Sequence, residues 1–180
     1  MKEATFRSMQ EEDLPGVLDI YNHYIVTTTA TFYPFPISME TLKTFIFLDH
    51  DWYMAYVIQH MGKTAGFCFL TQFKKHVSYN GTAELGIYLK PEFTRLGLGS
   101  QAARHLEKVA TANGLRMIVA SVSGENTASI ELFRKLEYEQ CAHFKRIGEK
   151  WGRAIDVIFF QRSFENDVTD PRPALGDKVS

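Results

Sequence analysis

The stretch from Thr82 to Ala112 constrains the fold more than any other part of the chain. Thr82 to Leu89 is a β-branched and aromatic run of strand type, and Lys90-Pro91 ends it, since proline has no N–H to give a ladder. A turn with two glycines follows, Thr94-Arg95-Leu96-Gly97-Leu98-Gly99-Ser100. From Gly97 to Ala112, Leu98, Ala102, Leu106, Val109 and Ala110 then recur on one helical face, which Asn113-Gly114 stops. A strand that enters an amphipathic helix through a glycine turn belongs to an α/β domain.

The flanking segments extend this reading. Thr5 to Ser8 reads as a short strand, and Asp13-Leu14-Pro15 opens a helix with an acidic cap ahead of a first-turn proline. Leu14, Val17, Leu18, Tyr21 and Ile25 form its apolar face, and Thr27 to Pro36 is a long loop. Ser38 caps a second helix with Leu42, Phe45 and Ile46 inward, ending near Asp49 to Asp51. Tyr53 to Gln59 and Thr64 to Gln72 make a hairpin about Met61-Gly62-Lys63, while Ser78 to Gly81 forms a turn in which Asn-Gly takes positive φ. Met117 to Ser121 is a buried-type strand, Asn126 to Leu136 a helix capped by Asn126, and Tyr138 to Arg146 with Ala154 to Arg162 a final strand pair. With 180 residues, 45% of them apolar and 23% charged, the chain holds one folded domain. That domain spans residues 1–164, and Glu165 to Ser180, with two prolines and few large apolar residues, reads as a loose tail.

The chemistry of the glycine turn is anion binding. Glycines let backbone N–H groups approach a phosphate, and the helix N-terminus adds unpaired donors and a positive dipole. Gly99-Ser100-Gln101 lacks the lysine of a nucleotide-hydrolase loop, and two glycines fall short of the three of a dinucleotide loop. A lone G-x-G is more often a packing turn, so the turn by itself leaves both readings open.

The wider chain resembles the GNAT superfamily of acyl-coenzyme A N-acetyltransferases, whose loop pattern is Gln/Arg-x-x-Gly-x-Gly/Ala at a helix start. Within it the stretch from Phe6-Arg7 to about Gln161 looks like the phosphinothricin and methionine sulfoximine or sulfone acetyltransferase branch. The matching stretches are Asp13-Leu14-Pro15, Ile20-Tyr21-Asn22, Thr28 to Phe32, Glu84 with Tyr88, Gly97-Leu98-Gly99, Asn126 to Ile130, and Gly148 to Arg153 with Asp156. The resemblance implies a splayed, mixed, mostly antiparallel sheet flanked by helices, with acetyl-coenzyme A (acetyl-CoA) wedged between two parting strands. It implies that Ile87, Tyr88 and Leu89 pair with the pantetheine arm, that Arg95, Leu96, Gly97, Leu98, Gly99 and Ser100 cradle the pyrophosphate, and that Asn126 and Ser129 complete the cofactor site. It implies a homodimer, because members of the branch are commonly dimeric. Glu84 stands where the branch has its proposed general base and is the only charged residue from Ala83 to Leu89; a buried carboxylate there would have a raised pKa. A solvent-facing or lysine-paired glutamate is the other reading of the pattern.

Four departures bear on the chemistry. Thr94 stands where the pattern begins with Gln or Arg, with Arg95 beside it. Phe133 stands where many members carry a Tyr and this branch often a His, so no general acid is assigned. Asn80 replaces an arginine suited to a substrate carboxylate, which puts an amino-acid acceptor in question; Lys74, Lys75 and His76 are the nearby cations, though three charged loop residues also read as a solvated face. Glu137 replaces a glycine after Leu136, with no functional reading. Phe32, Tyr79, Asn80 and Thr82 are the candidate acceptor residues, and Trp52 could add an aromatic wall.

The excluded classes follow from what the chain lacks. Its 20 Lys plus Arg against 21 Asp plus Glu give no electrostatic footprint for nucleic acid or an anionic membrane. Six histidines without ligand spacing argue against a metal site, and His23 reads as structural. Cys68 and Cys141 make no framework, and Met1 to Gln10 is not a signal peptide, so the expected compartment is the cytoplasm. The expectation is an N-acetyltransferase for the primary amine of a small molecule. A phosphinothricin- or methionine sulfone-like amino acid, a polyamine, an aminoglycoside or a protein N-terminus are the acceptors in view. The alternative is a non-catalytic acyl-CoA-binding sensor.

Overall fold

The computed structural model describes residues 3–164; the expected tail, 165–180, lies outside the described residues. The elements in chain order are β1 (Thr5–Ser8), α1 (Leu14–Thr27), α2 (Met39–Leu42), β2 (Ala55–His60), β3 (Lys63–Gln72), β4 (Thr82–Leu89), α3 (Leu98–Ala112), β5 (Met117–Ser123), α4 (Thr127–Lys135), β6 (Glu139–Lys150) and β7 (Arg153–Ser163). The strands form one sheet in the order β1-β2-β3-β4-β5-β7-β6, antiparallel throughout except for β4 beside β5.

Two buried clusters cover the two faces of this sheet. Along β3, Cys68 and Leu70 join Leu98, Leu106, Ile118, Phe133 and Phe160 under α3 and α4, whereas Phe67 and Phe69 join Val17, Tyr21, Ile25 and Leu42 under α1 and α2. This is the period-2 alternation of a strand buried on both faces. Helix α3 ends as Asn113-Gly114 predicts: Gly114 takes φ 71° and the Leu115 N–H returns to the Ala110 carbonyl at 2.8 Å.

Several local expectations are corrected. Asp13 makes no cap on α1; its carboxylate accepts from the Arg7 guanidinium at 2.6 and 2.9 Å and from the Gln10 N–H at 2.8 Å, so it closes the turn before the helix. The helix after Ser38 is a single turn, with Thr41 N–H donating to Ser38 Oγ at 3.3 Å, although Ile46 beyond it is buried as expected. Neither Asn80 nor Gly81 takes positive φ, because Val77–Tyr79 forms a 3₁₀ turn ahead of them and the Gly81 carbonyl accepts from the Arg116 and Met117 N–H groups. The last strand pair is longer than expected and is closed by the two-residue turn Trp151-Gly152 at φ 54° and 69°, the signature of a type I′ hairpin.

Candidate active site

Strands β4 and β5 are in register for three pairs only, Thr82 with Met117, Ala83 with Ile118 and Glu84 with Val119. Beyond these β4 stays paired with β3 to Leu89, and β5 with β7 to Ser123, so the two halves of the sheet part at Glu84. The Lys90 N–H to Ala65 carbonyl bond fixes which ladder groups face β3, and by alternation the N–H and C=O of Ile87 and Leu89 turn toward the gap. The Leu89 carbonyl accepts from the Tyr24 hydroxyl at 2.6 Å.

A cavity of about 820 Å³ fills the gap between β4, β5 and the N-terminal ends of α3 and α4. Ile87, Tyr88, Leu89, Arg95, Gly97, Gly99, Ser100, Asn126 and Ser129 line it, while Leu96 is exposed to one side and Leu98 lies in the core. Gly97 takes φ 78° as the N-terminal cap of α3 and no side chain caps that end. The first helical bond recorded there, Gln101 N–H to the Gly97 carbonyl at 3.2 Å, leaves the amides of Leu98, Gly99 and Ser100 for a ligand. These open donors, with the Arg95 and Lys135 cations on the same lining, suit a pyrophosphate. Asn126 Oδ1 accepts from the Ser129 N–H at 3.1 Å, so it caps α4 and lines the cavity at once. Thr94 Oγ1 donates to the Pro91 carbonyl at 2.8 Å and tightens the turn ahead of the cradle.

A second cavity, about 530 Å³, opens on the α1 and α2 side. It meets the first at Ala30, Leu85, Gly86, Tyr88 and Ser121. Glu84 lines it, and no described residue hydrogen-bonds to its carboxyl group. Burial pushes the Glu84 pKa up to about 7, against the pull of the Lys74 ammonium. Phe32, Lys74 and Lys75 share the lining with Tyr21, Phe45 and Phe69. Tyr79, Asn80 and Thr82 are not on it, nor is Trp52, which packs on His50 and Tyr53. His23 is exposed and lines neither cavity. Phe133 is buried, stacked on Phe160 and tilted against Tyr138, at the floor of the larger cavity.

Sequence reasoning missed Ser121 and Tyr24 and treated Tyr21 and Phe45 as core alone. Only the parting of β4 from β5 reveals that these side chains face a space. Among the described residues no cluster of three or more His, Cys, Asp or Glu could hold a metal ion, and no helix is long and apolar enough to cross a membrane.

A model of the acetyltransferase (GNAT) family matches residues 17–138. The L-methionine sulfoximine/L-methionine sulfone acetyltransferase of Pseudomonas paraeruginosa is 30% identical over 93% of this chain and 99% of its own length. The phosphinothricin N-acetyltransferase of Streptomyces viridochromogenes is 34% identical over 96% and 93%. Among solved structures, a GNAT-superfamily phosphinothricin acetyltransferase from Sinorhizobium meliloti in complex with AcCoA superposes with a TM-score of 0.86 at 28% identity, covering 98% of this chain and 97% of that one.

Proposed function

The chain belongs to the GNAT acetyltransferase family and uses acetyl-CoA, and from that premise we propose that it acetylates the primary amine of a small amino-acid-like molecule, with Glu84 as the general base. The observation that carries the base is the position of Glu84. It lies at the fork of the sheet, beside the residues where the two cavities meet, with a pKa raised to about 7 by burial. A carboxyl group so tuned takes a proton near neutral pH, where an ordinary exposed glutamate is too weak a base.

The acetyl thioester would lie along the free edge of β4, with its arm against the backbone of Ile87 and Leu89 and its pyrophosphate at Gly97 to Ser100. Glu84 accepts the ammonium proton, through water where needed, and the neutral amine attacks the thioester carbon. The negative charge that develops on the carbonyl oxygen is met by backbone N–H of the β4 edge. The C–S bond then breaks, and the departing thiolate takes the second proton of the attacking nitrogen, directly or through water, without a side-chain acid, since Phe133 supplies no proton. Lys74 and Lys75 give the acceptor cavity a cationic rim that suits a carboxylate, the role that Asn80 does not fill. We read the working form as a cytoplasmic homodimer, joined through the exposed apolar side chains of edge strand β6, Phe144 and Ile147, with Trp151 at its end.

Release of free coenzyme A thiol across a panel of amines, on wild type and Glu84→Gln, tests the proposal. Turnover of an amino-acid analogue, depressed in the variant by roughly 10² to 10⁴, supports both acceptor class and base. Turnover indifferent to the substitution removes Glu84 from the role. Turnover confined to amines without a carboxylate removes the amino-acid class.

A further inference from the structure

Lys150 ends β6 and is only 1% exposed, yet no carboxylate pairs with it among the described residues. Its Nζ instead donates to the Thr28 carbonyl at 2.7 Å, the Thr31 carbonyl at 2.9 Å and Thr31 Oγ1 at 3.4 Å, which occupies all three ammonium protons. The Trp151 ring centroid, 4.8 Å away, adds a cation–π contact. A buried ammonium without a counter-ion is a costly way to fill space, because it gives up its hydration where a neutral side chain would pack freely. Its hydrogen-bond partners are all on one segment, the loop that leaves α1.

That segment supplies Ala30, Thr31, Phe32 and Tyr33 to the wall of the acceptor cavity, and Ala30 also to the cofactor cavity. Ser123 Oγ of β5 holds the same loop through Thr29 Oγ1 at 3.0 Å. The loop thus springs from α1, packed on the β1–β4 half of the sheet, and is fastened to β5 and β6 of the other half. Resting on the acceptor reading above, we propose that Lys150 is a positioning residue for acceptor binding: its ammonium staples the Thr28–Thr31 backbone across the fork, setting the shape of the wall that meets the amine substrate. The role acts through the loop; Lys150 lines neither cavity.

Steady-state kinetics of wild type, Lys150→Met and Lys150→Arg with an amine that wild type acetylates provide the test. Lys150→Met, which keeps the apolar stem and loses the donors, is expected to raise the acceptor KM roughly ten- to hundredfold, as befits the loss of charge-assisted hydrogen bonds. The acetyl-CoA KM is expected to stay within about twofold and Lys150→Arg to recover part of the loss. Hydrogen exchange of a peptide covering residues 27–36 should accelerate in Lys150→Met while one covering residues 98–112 stays protected. A parallel loss in acetyl-CoA KM, acceptor KM and the exchange protection of both peptides would show a merely structural lysine and overturn the inference. An unchanged acceptor KM in a well-folded Lys150→Met would overturn it as well, and both results leave the acetyltransferase reading standing. Wild type that acetylates no amine would instead bring down the acceptor reading, and this inference with it.

Discussion

Replacing Glu84 by Gln should make the protein less active and more stable, and the second effect has a pH signature. The pKa rises from 4.5 to about 7 because burial disfavours the charged carboxylate. The folded state therefore holds this proton more tightly than the unfolded chain, and stability falls as pH climbs from 4.5 through 7. At about 1.4 kcal/mol per pH unit, the wild type forfeits about 3 kcal/mol over that window. Gln carries no charge and escapes the loss, less about 1 kcal/mol for an amide that finds incomplete hydrogen bonding. Thermal unfolding at pH 8 should place Glu84→Gln about 4–8 °C above wild type, given about 2–4 °C per kcal/mol for a domain of this size. At pH 5 most of that difference should vanish, since wild-type Glu84 is then neutral in the folded state. A stability difference that stays constant from pH 5 to pH 8 would refute a buried carboxyl group that keeps its proton up to about pH 7, whatever the variant did to turnover.

Three further outcomes follow from the same geometry. Lys74→Met removes the cation that holds the Glu84 pKa down, so the rising limb of kcat/KM against pH should move upward from about 7, read from a pH profile with one acceptor. Gly97→Ala places a Cβ at φ 78°, at a cost of about 1–2 kcal/mol; a lower Tm and a roughly tenfold higher KM for acetyl-CoA should result. Hydrogen exchange of the Ile87 and Leu89 amides should slow when acetyl-CoA is added. Protection confined to the start of α3 would show that the arm does not pair with β4.

The succession of strands and helices and the glycine-turn helix were legible because their segments carry strong patterns, Leu98, Ala102 and Leu106 at helical spacing and an uninterrupted apolar run in β3, whereas the order of the strands in the sheet is set by pairings between distant segments. Strand β6 was legible only to Arg146, since an edge strand exposed on both faces shows no alternation, and Lys145 to Lys150 reads as a polar loop. The lysine in Gly148-Glu149-Lys150 looks like an ordinary surface charge in sequence. Its burial comes from the Trp151-Gly152 hairpin and from a loop more than 115 residues earlier in the chain. Cavity walls were hidden for a similar reason. Tyr21, Phe45 and Phe69 have the composition of a core, and whether an aromatic side chain meets another side chain or a void depends on how far apart β4 and β5 stand.

That separation is inexpensive for this fold. Both strands keep complete partners on their far edges, β4 with β3 and β5 with β7, so parting them forgoes only the ladder bonds beyond Glu84 and Val119, each worth about 0.5–1.5 kcal/mol net. A strand edge left open in this way invites unwanted pairing when it lies on the surface; here it lies inside a cleft whose far walls are β5 and α4, with the N-terminal end of α3 at one end. The alternation of β4 then decides what each residue can do. Ala83 and Leu85 pack into the cluster beneath α3, Leu85 also reaching the junction of the two cavities, whereas Glu84, Gly86 and Tyr88 line the smaller cavity on the opposite face. A carboxylate moved one position back, to Ala83, would be lost in an apolar core. One moved two positions on, to Gly86, would carry its Cβ into the Phe69 ring, 2.4 Å away. Residue 84 is therefore a place on β4 where a buried carboxyl group stands beside the junction of both cavities while still belonging to a paired strand.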